Sequence, residues 1–266
     1  MQELDQNIST IIVKGLILDM DGVLWRWPDP IGDLPGLFSH INQRGWKVVF
    51  LTNNATQSAR QYTDILNNFG IPAQIHQVIN SAEATGEYLK KKYPSGGPVF
   101  IIGEDGLRET LEGFGFRESG DRPIAVVVGL DRQLTYEKLS QASLSIQAGA
   151  EFIGTNPDTT IPTNRGIEPG AGSILAAIQV ASSCSPMIIG KPSPVMYQIA
   201  LNRLGTSPNE TLVIGDRLDT DIKGGNAAGC LTGLVLSGVA KEEDIPRSGQ
   251  DPDFVASDLT ELLMSI

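Results

Sequence analysis

Short runs of Val, Ile and Leu alternate along this chain with longer helix-forming stretches. The β-rich runs span residues 12–18, 46–51, 99–102, 125–128, 152–154, 212–214 and 231–236. Helical patterns fill the gaps near 35–44, 58–69, 81–93, 135–148, 171–183, 193–204 and 219–228. Continuous apolar strands, each followed by a helix, predict a parallel sheet with helices on both faces. Ligands in such α/β folds sit beyond the carboxyl ends of the strands, so chemistry is sought where each run stops. Turn-rich YPSGGP (93–98) and SSCSP (182–186) punctuate the pattern. The stretch between them can pack by itself. The reading is therefore a core built from residues 1–93 and 185–266, interrupted by an inserted α/β domain at 94–184.

At 266 residues and 41% hydrophobic content, the chain can bury a sizeable core. No apolar stretch approaches the ~18–20 residues that cross a bilayer, and the start, MQELDQNIST, is polar and acidic rather than a signal. Two cysteines, Cys184 and Cys230, make no disulfide framework and point to a reducing cytoplasm. A net charge of −11 argues against nucleic-acid and anionic-membrane partners.

Four clusters fall where strands should end: Asp19-Met20-Asp21-Gly22, Thr52-Asn53-Asn54, Gly190-Lys191-Pro192 and Gly215-Asp216-Arg217-Leu218-Asp219-Thr220-Asp221. Each has a plain reading alone: a turn, a helix cap, a surface lysine, an acidic helix start. Together the plain readings fail. Asp19, Asp21 and Asp216 would converge at one sheet edge, too negative to stay ionised unaided. A divalent cation removes that difficulty, and all-oxygen ligation points to Mg²⁺ rather than zinc. Mg²⁺ and Lys191 would make the pocket attractive to a phosphate despite the acidic exterior. Other routes fail on inventory. Neither cysteine is followed six positions later by the Arg of a cysteine phosphatase, and Gly190-Lys191 lacks the rest of a phosphate-binding P-loop. His40 and His76 lie away from every cluster.

The order and chemistry of these clusters resemble the haloacid dehalogenase (HAD) superfamily, and within it the NagD-like and para-nitrophenyl-phosphatase-like enzymes. The strings that carry the likeness are LDMDGVLW, LTNNAT, GTNPD, PGAGS, IGKPSP and VIGDRLDTDI, then AAGCLTGLVLSG. The resemblance implies a Rossmann-like core with an inserted α/β cap, and a Mg²⁺-dependent phosphomonoesterase acting on small metabolites. It makes Asp19 the nucleophile that forms an aspartyl-phosphate, and Asp21 the acid and then base. Mg²⁺ would be held by Asp19, the backbone carbonyl of Asp21 and Asp216. Thr52 would bond a phosphoryl oxygen, with the N–H groups of Asn53 and Asn54 close by. Lys191 would balance charge, and Asp221 would orient metal-bound water or Lys191. Asp219 stays open between that role and the surface.

The segment 154–162 resembles the cap loop that faces substrate, with Asp158, Thr160 and Ile161 as candidate specificity residues. Some relatives place a histidine near Ile161 to contact a pyridine ring, so pyridoxal phosphate is disfavoured. Gly22 allows the turn after the acids, and Val23-Leu24-Trp25 forms a short flap in the family pattern. Trp25 and Trp27 read equally well as core, whereas Gly224, Gly225 and Gly229 read as packing and a helix cap. Some relatives pair through the cap, which leaves a homodimer open. The rivals are a haloacid dehalogenase-type hydrolase, which needs no proton-donating Asp21, a receiver-type signalling domain, and a non-catalytic phosphate-binding protein. A receiver places its phosphorylated Asp later and has no cap. The intact set of acids, Thr52 and Lys191 argues against an idle binder.

Overall fold

The computed structural model describes residues 12–163 and 165–266, so the polar start MQELDQNIST lies outside the described residues. Two parallel sheets organise the chain. Their strands are β1 (Gly15–Leu18), β2 (Lys47–Thr52), β3 (Val78–Asn80), β4 (Gly97–Ile102), β5 (Phe116–Glu118), β6 (Ala125–Val128), β7 (Glu151–Gly154), β8 (Met187–Ile188), β9 (Thr211–Gly215), β10 (Leu231–Val235) and β11 (Phe254–Ala256). The first sheet has the order β11-β10-β9-β1-β2-β3, and the second β8-β7-β6-β4-β5. Every pairing in both is parallel.

Successive strand residues point to opposite faces, so the apolar runs feed two layers. Leu16, Leu18, Val48, Phe50, Leu212 and Ile214 pack on one side with Leu37, Phe38, Ile41 and Leu66 of the helices Leu34–Gln43 and Ala59–Asn68. Ile17, Val49, Leu51 and Val213 face the other side, against Met196, Tyr197 and Ala200 of the helix Pro194–Leu204. That second cluster continues through Ala82 and Leu89 of the helix Ser81–Lys92 to Val99, Val127 and Ile153 of the second sheet. The two sheets are thus joined by apolar packing as well as by the chain. Helices Tyr136–Gln147 and Ala171–Ser182 cover the far face of the second sheet.

The α/β class and helices on both faces are as the sequence predicts, and most elements begin and end within a few residues of the expected positions. The first strand starts at Gly15 rather than Ile12, whose side chain is exposed. The helix Asp105–Gly113 and the short strands β3, β5, β8 and β11 are additions to the expected elements; for the strands, two or three residues carry too little pattern to announce them. The helix expected over 219–228 is instead a five-residue π-helical turn, Leu218–Ile222, followed by Lys223–Ala227.

Register positions the site. Leu18 pairs with both Ile214 and Phe50, so Asp19, Gly215-Asp216 and Thr52 leave adjacent strands at one height. The Asp19 N–H still bonds Ile214 C=O at 2.9 Å, which fixes where the side chain emerges. Ile17 lies in the middle of this sheet and is 1% exposed. Ile17→Ala should lower the unfolding free energy by about 3 kcal/mol, read as a lower midpoint in urea with unchanged far-ultraviolet circular dichroism.

Candidate active site

Lys191 stands at the centre of the sheet edge with its side chain 3% exposed. Its ammonium lies 2.6 Å from Asp221 Oδ1, 3.0 Å from Asp19 Oδ1 and 3.2 Å from Leu51 C=O. Burial pulls the Lys191 pKa down, but the two carboxylates override it and the net shift is upward. The lysine stays charged.

Asp19, Asp216 and Asp221 each bring a carboxylate oxygen within 4.8 Å of the others. Asp221 is occupied: Lys191 takes Oδ1, and the Arg217 N–H donates to Oδ2 at 3.2 Å. Asp216 is not. Its Oδ2 accepts the Val239 N–H at 2.7 Å, while its Oδ1 is buried without a partner among the described residues. Burial, reinforced by the Asp221 charge, raises the Asp216 pKa to about 6. Asp19 is also pushed up, by burial first and then by Asp221 and Asp216, with Lys191 opposing. Glycines make room for these acids. A Cβ at Gly238, or at Gly22 with its φ of 81°, would collide with the Asp216 carboxylate.

Asp21 opens toward solvent at the mouth, yet surrounding protein takes water from its carboxyl and raises its pKa. The Trp25 Nε1–H donates to Asp21 Oδ1 at 2.8 Å and opposes that rise. Trp25 is 2% exposed and Trp27 64%, which separates two tryptophans that the sequence leaves equal. Trp25–Arg26 pairs with Asp29–Pro30 as a small antiparallel hairpin beside Asp21. Thr52 is buried, and its Oγ accepts the Asn54 N–H at 3.1 Å, leaving its own proton to donate. The Asn54 Oδ1 accepts the N–H and O–H of Thr56. Asn53 turns inward and meets the backbone of Lys191.

The structure therefore brings Asp19, Asp21, Thr52, Asn53, Lys191, Asp216 and Asp221 to one edge. Asp158, on the loop leaving β7, accepts from Asn53 Nδ2 at 3.4 Å. Thr160 and Ile161 lie on a two-stranded hairpin, paired with Pro169 and Glu168, and make no hydrogen bond to the acidic cluster among the described residues. Asp219 is a surface residue, its side chain 70% exposed beside Arg217. Cys230 is buried, its thiol pushed up to about 11, a poor nucleophile.

Sequence reasoning missed Tyr197. Its buried hydroxyl donates to Thr220 C=O at 3.0 Å and lies 3.4 Å from that of Asp221. The wide π turn takes carbonyls out of ordinary helical register, and this phenol gives the Thr220 carbonyl a second donor beside the Lys223 N–H while the turn aims Asp221 at Lys191. Gly224 leaves space for the Tyr197 ring, and Gly215 for Asp221. One helical tyrosine among five in the chain gives no sequence signal for that role.

Residues 16–117 match the family model described as haloacid dehalogenase-like hydrolase, and residues 188–262 match one described as HAD-hydrolase-like. A curated 5'-nucleotidase of Bacillus subtilis is 37% identical over 93% of this chain and 96% of its own length. An acid sugar phosphatase of Staphylococcus aureus is 36% identical over 95% and 98%. Among solved structures, a p-nitrophenyl phosphatase from Archaeoglobus fulgidus superposes with a TM-score of 0.91 at 32% identity, covering 96% of this chain and 100% of that one. NagD from Escherichia coli K-12 gives 0.87 at 32%, over 94% and 98%. A glycerol phosphate phosphatase from Mycobacterium tuberculosis, solved with calcium, gives 0.84 at 35%, over 93% and 74%.

The chain belongs to the haloacid dehalogenase-like hydrolases. Within them it is a NagD-like phosphatase. The π turn of this HAD chain is braced by one buried hydroxyl, so Tyr197→Phe should cost about 1 kcal/mol by removing its hydrogen bond to Thr220 C=O, which keeps the Lys223 N–H. Urea unfolding followed by tryptophan fluorescence checks this.

Proposed function

We propose that this enzyme hydrolyses phosphomonoesters of small metabolites (sugar phosphates, glycerol-type phosphates or nucleotides) through an aspartyl-phosphate on Asp19. The observation that carries the reading is the Lys191 ammonium lodged between Asp19 and Asp221, beside a buried Asp216 oxygen with no partner. An all-oxygen donor set with an orphaned carboxylate oxygen fits Mg²⁺. Asp19, the Asp21 carbonyl and Asp216 would hold the ion, and Asp221, already bonded on both oxygens, would serve the lysine. When bound, Mg²⁺ supplies positive charge against the phosphoryl oxygens and favours the ionised form of Asp19.

In the first step an Asp19 oxygen bonds phosphorus as the ester P–O bond breaks, and Asp21 gives its proton to the leaving oxygen. The raised pKa of Asp21 suits that task. In the second, water attacks phosphorus, Asp21 takes its proton, and the Asp19–phosphorus bond breaks to release phosphate. Thr52 donates its free O–H to a phosphoryl oxygen, and Lys191 balances the charge shared by Asp19 and the phosphoryl group. The second sheet, built from the insert at 94–184 and extended past that expected boundary by Met187–Ile188, acts as a cap that excludes water from the first step. The relatives named for nucleotide and sugar phosphate hydrolysis support the substrate class. A proton donor at Asp21 favours phosphate esters over dehalogenation, and two free cysteines suit a cytoplasmic enzyme.

Asp19→Asn should lower phosphate release from a panel of phosphorylated metabolites by about 10³-fold or more with the fold intact. Near-normal turnover in that variant would sink the covalent route. The metal has its own signature in stability. An Asp216 pKa raised from 3.8 to about 6 gives stability that is full below about pH 4 and lost as the pH climbs through 6. Mg²⁺ binds the deprotonated site, so it should raise the melting temperature strongly at pH 7.5 and little at pH 5. Equal shifts at both values would count against Asp216 as a ligand.

A further inference from the structure

The function proposed above uses Thr52 and Lys191 but leaves the Asn53 side chain unexplained. That carboxamide is buried and faces the Lys191 backbone. Lys191 N–H donates to Asn53 Oδ1 at 2.7 Å, and Asn53 Nδ2–H donates to Lys191 C=O at 3.0 Å. The same Nδ2 reaches Asp158 Oδ2 at 3.4 Å. The Asn53 carbonyl accepts the Asn156 side chain at 2.9 Å and the Ser81 hydroxyl at 2.6 Å. Flipping the amide would set N–H against N–H and C=O against C=O, so the network fixes its orientation. Gly190 completes the fit, since a Cβ there would collide with Thr155 C=O and come within 2.6 Å of Asn53 Oδ1.

We infer that Asn53 is a positioning residue: its amide sets the place of Lys191 and ties that lysine to the Asn156–Asp158 loop leaving the second sheet. The three segments are far apart in sequence, with 138 positions between Asn53 and Lys191 and 103 between Asn53 and Asn156. One side chain makes with Lys191 the paired N–H and C=O bonds that a neighbouring strand would make. The lysine is thereby held at both ends, its backbone by Asn53 and its ammonium by Asp19, Asp221 and Leu51. The effect on turnover rests on the role given above to Lys191, whereas the tie between the segments does not.

Two arms test this. Hydrogen–deuterium exchange of Asn53→Ala should quicken in peptides covering 153–158 and 189–192 while the central strands keep their protection. Unchanged exchange in those two peptides would overturn the tie. In the kinetic arm, Asn53→Asp sets a carboxylate against Lys191 C=O and Asp158, and should lower kcat by about 10²-fold with little change in KM. Adding Asp158→Asn supplies the lost donor and should restore kcat at least about fivefold, because residues in contact are not additive. Additive losses in the double variant would overturn the coupling to the loop. A wild-type enzyme inactive on every phosphomonoester would sink the proposed function instead, and the exchange arm would still decide the tie.

Discussion

A buried ammonium has three protons to satisfy and costs several kcal/mol if it is left unpaired. Lys191 meets that demand with one acceptor each from Asp19, Asp221 and Leu51. Those acceptors sit on different segments: the residue after β1, the π turn after β9, and β2 itself. The charge therefore works as a keystone for the sheet edge. Withdrawing any one segment leaves a proton of a buried cation unpaired, so the strand ends are held together by electrostatics where their hydrogen-bond ladders have stopped.

The keystone does not neutralise the site. Three carboxylates cluster together with one ammonium between two of them, and burial weakens the screening between them. The response is visible in two upward shifts, on Asp19 and Asp216, and in an Asp216 oxygen with nothing to accept. A fold tuned for stability alone would not keep such an arrangement. The net charge of −11 on the whole chain is a poor guide to this pocket, because the pocket's own balance is set by groups within a few ångströms.

Legibility followed the range of the forces involved. Val/Ile/Leu runs that end in Asp, Thr or Gly made β1, β2 and β9 readable, and parallel pairing then put Asp19, Thr52 and Asp216 at one edge without further information. The π turn was not readable, because apolar periodicity says nothing about a carbonyl captured by a tyrosine elsewhere in the chain. Trp25 was ambiguous for a similar reason: its indole ring is core while its N–H serves Asp21. The inward role of Asn53 depends on partners more than a hundred positions away, and Gly238 matters only because Asp216 arrives beside it. Sequence spacing exposes local geometry, and these are contacts that only the assembled fold creates.

The same distinction separates the two joins between the sheets. Near the start of the second sheet, Tyr88, Lys92 and Tyr93 all reach the Glu151 carboxylate, alongside the apolar cluster that runs through the helix Ser81–Lys92. That join is distant in sequence from every catalytic candidate. At the other join, the loop after β7 touches the lysine loop through backbone bonds, with Gly190 N–H donating to Thr155 C=O at 2.8 Å, and through the Asn53 carboxamide. Apolar contact is non-directional and tolerates small sliding, whereas hydrogen bonds weaken steeply with angle. A shift of the second sheet would therefore be felt first at the join that holds Lys191, and the chemistry of the site is tied to the position of the insert by geometry alone.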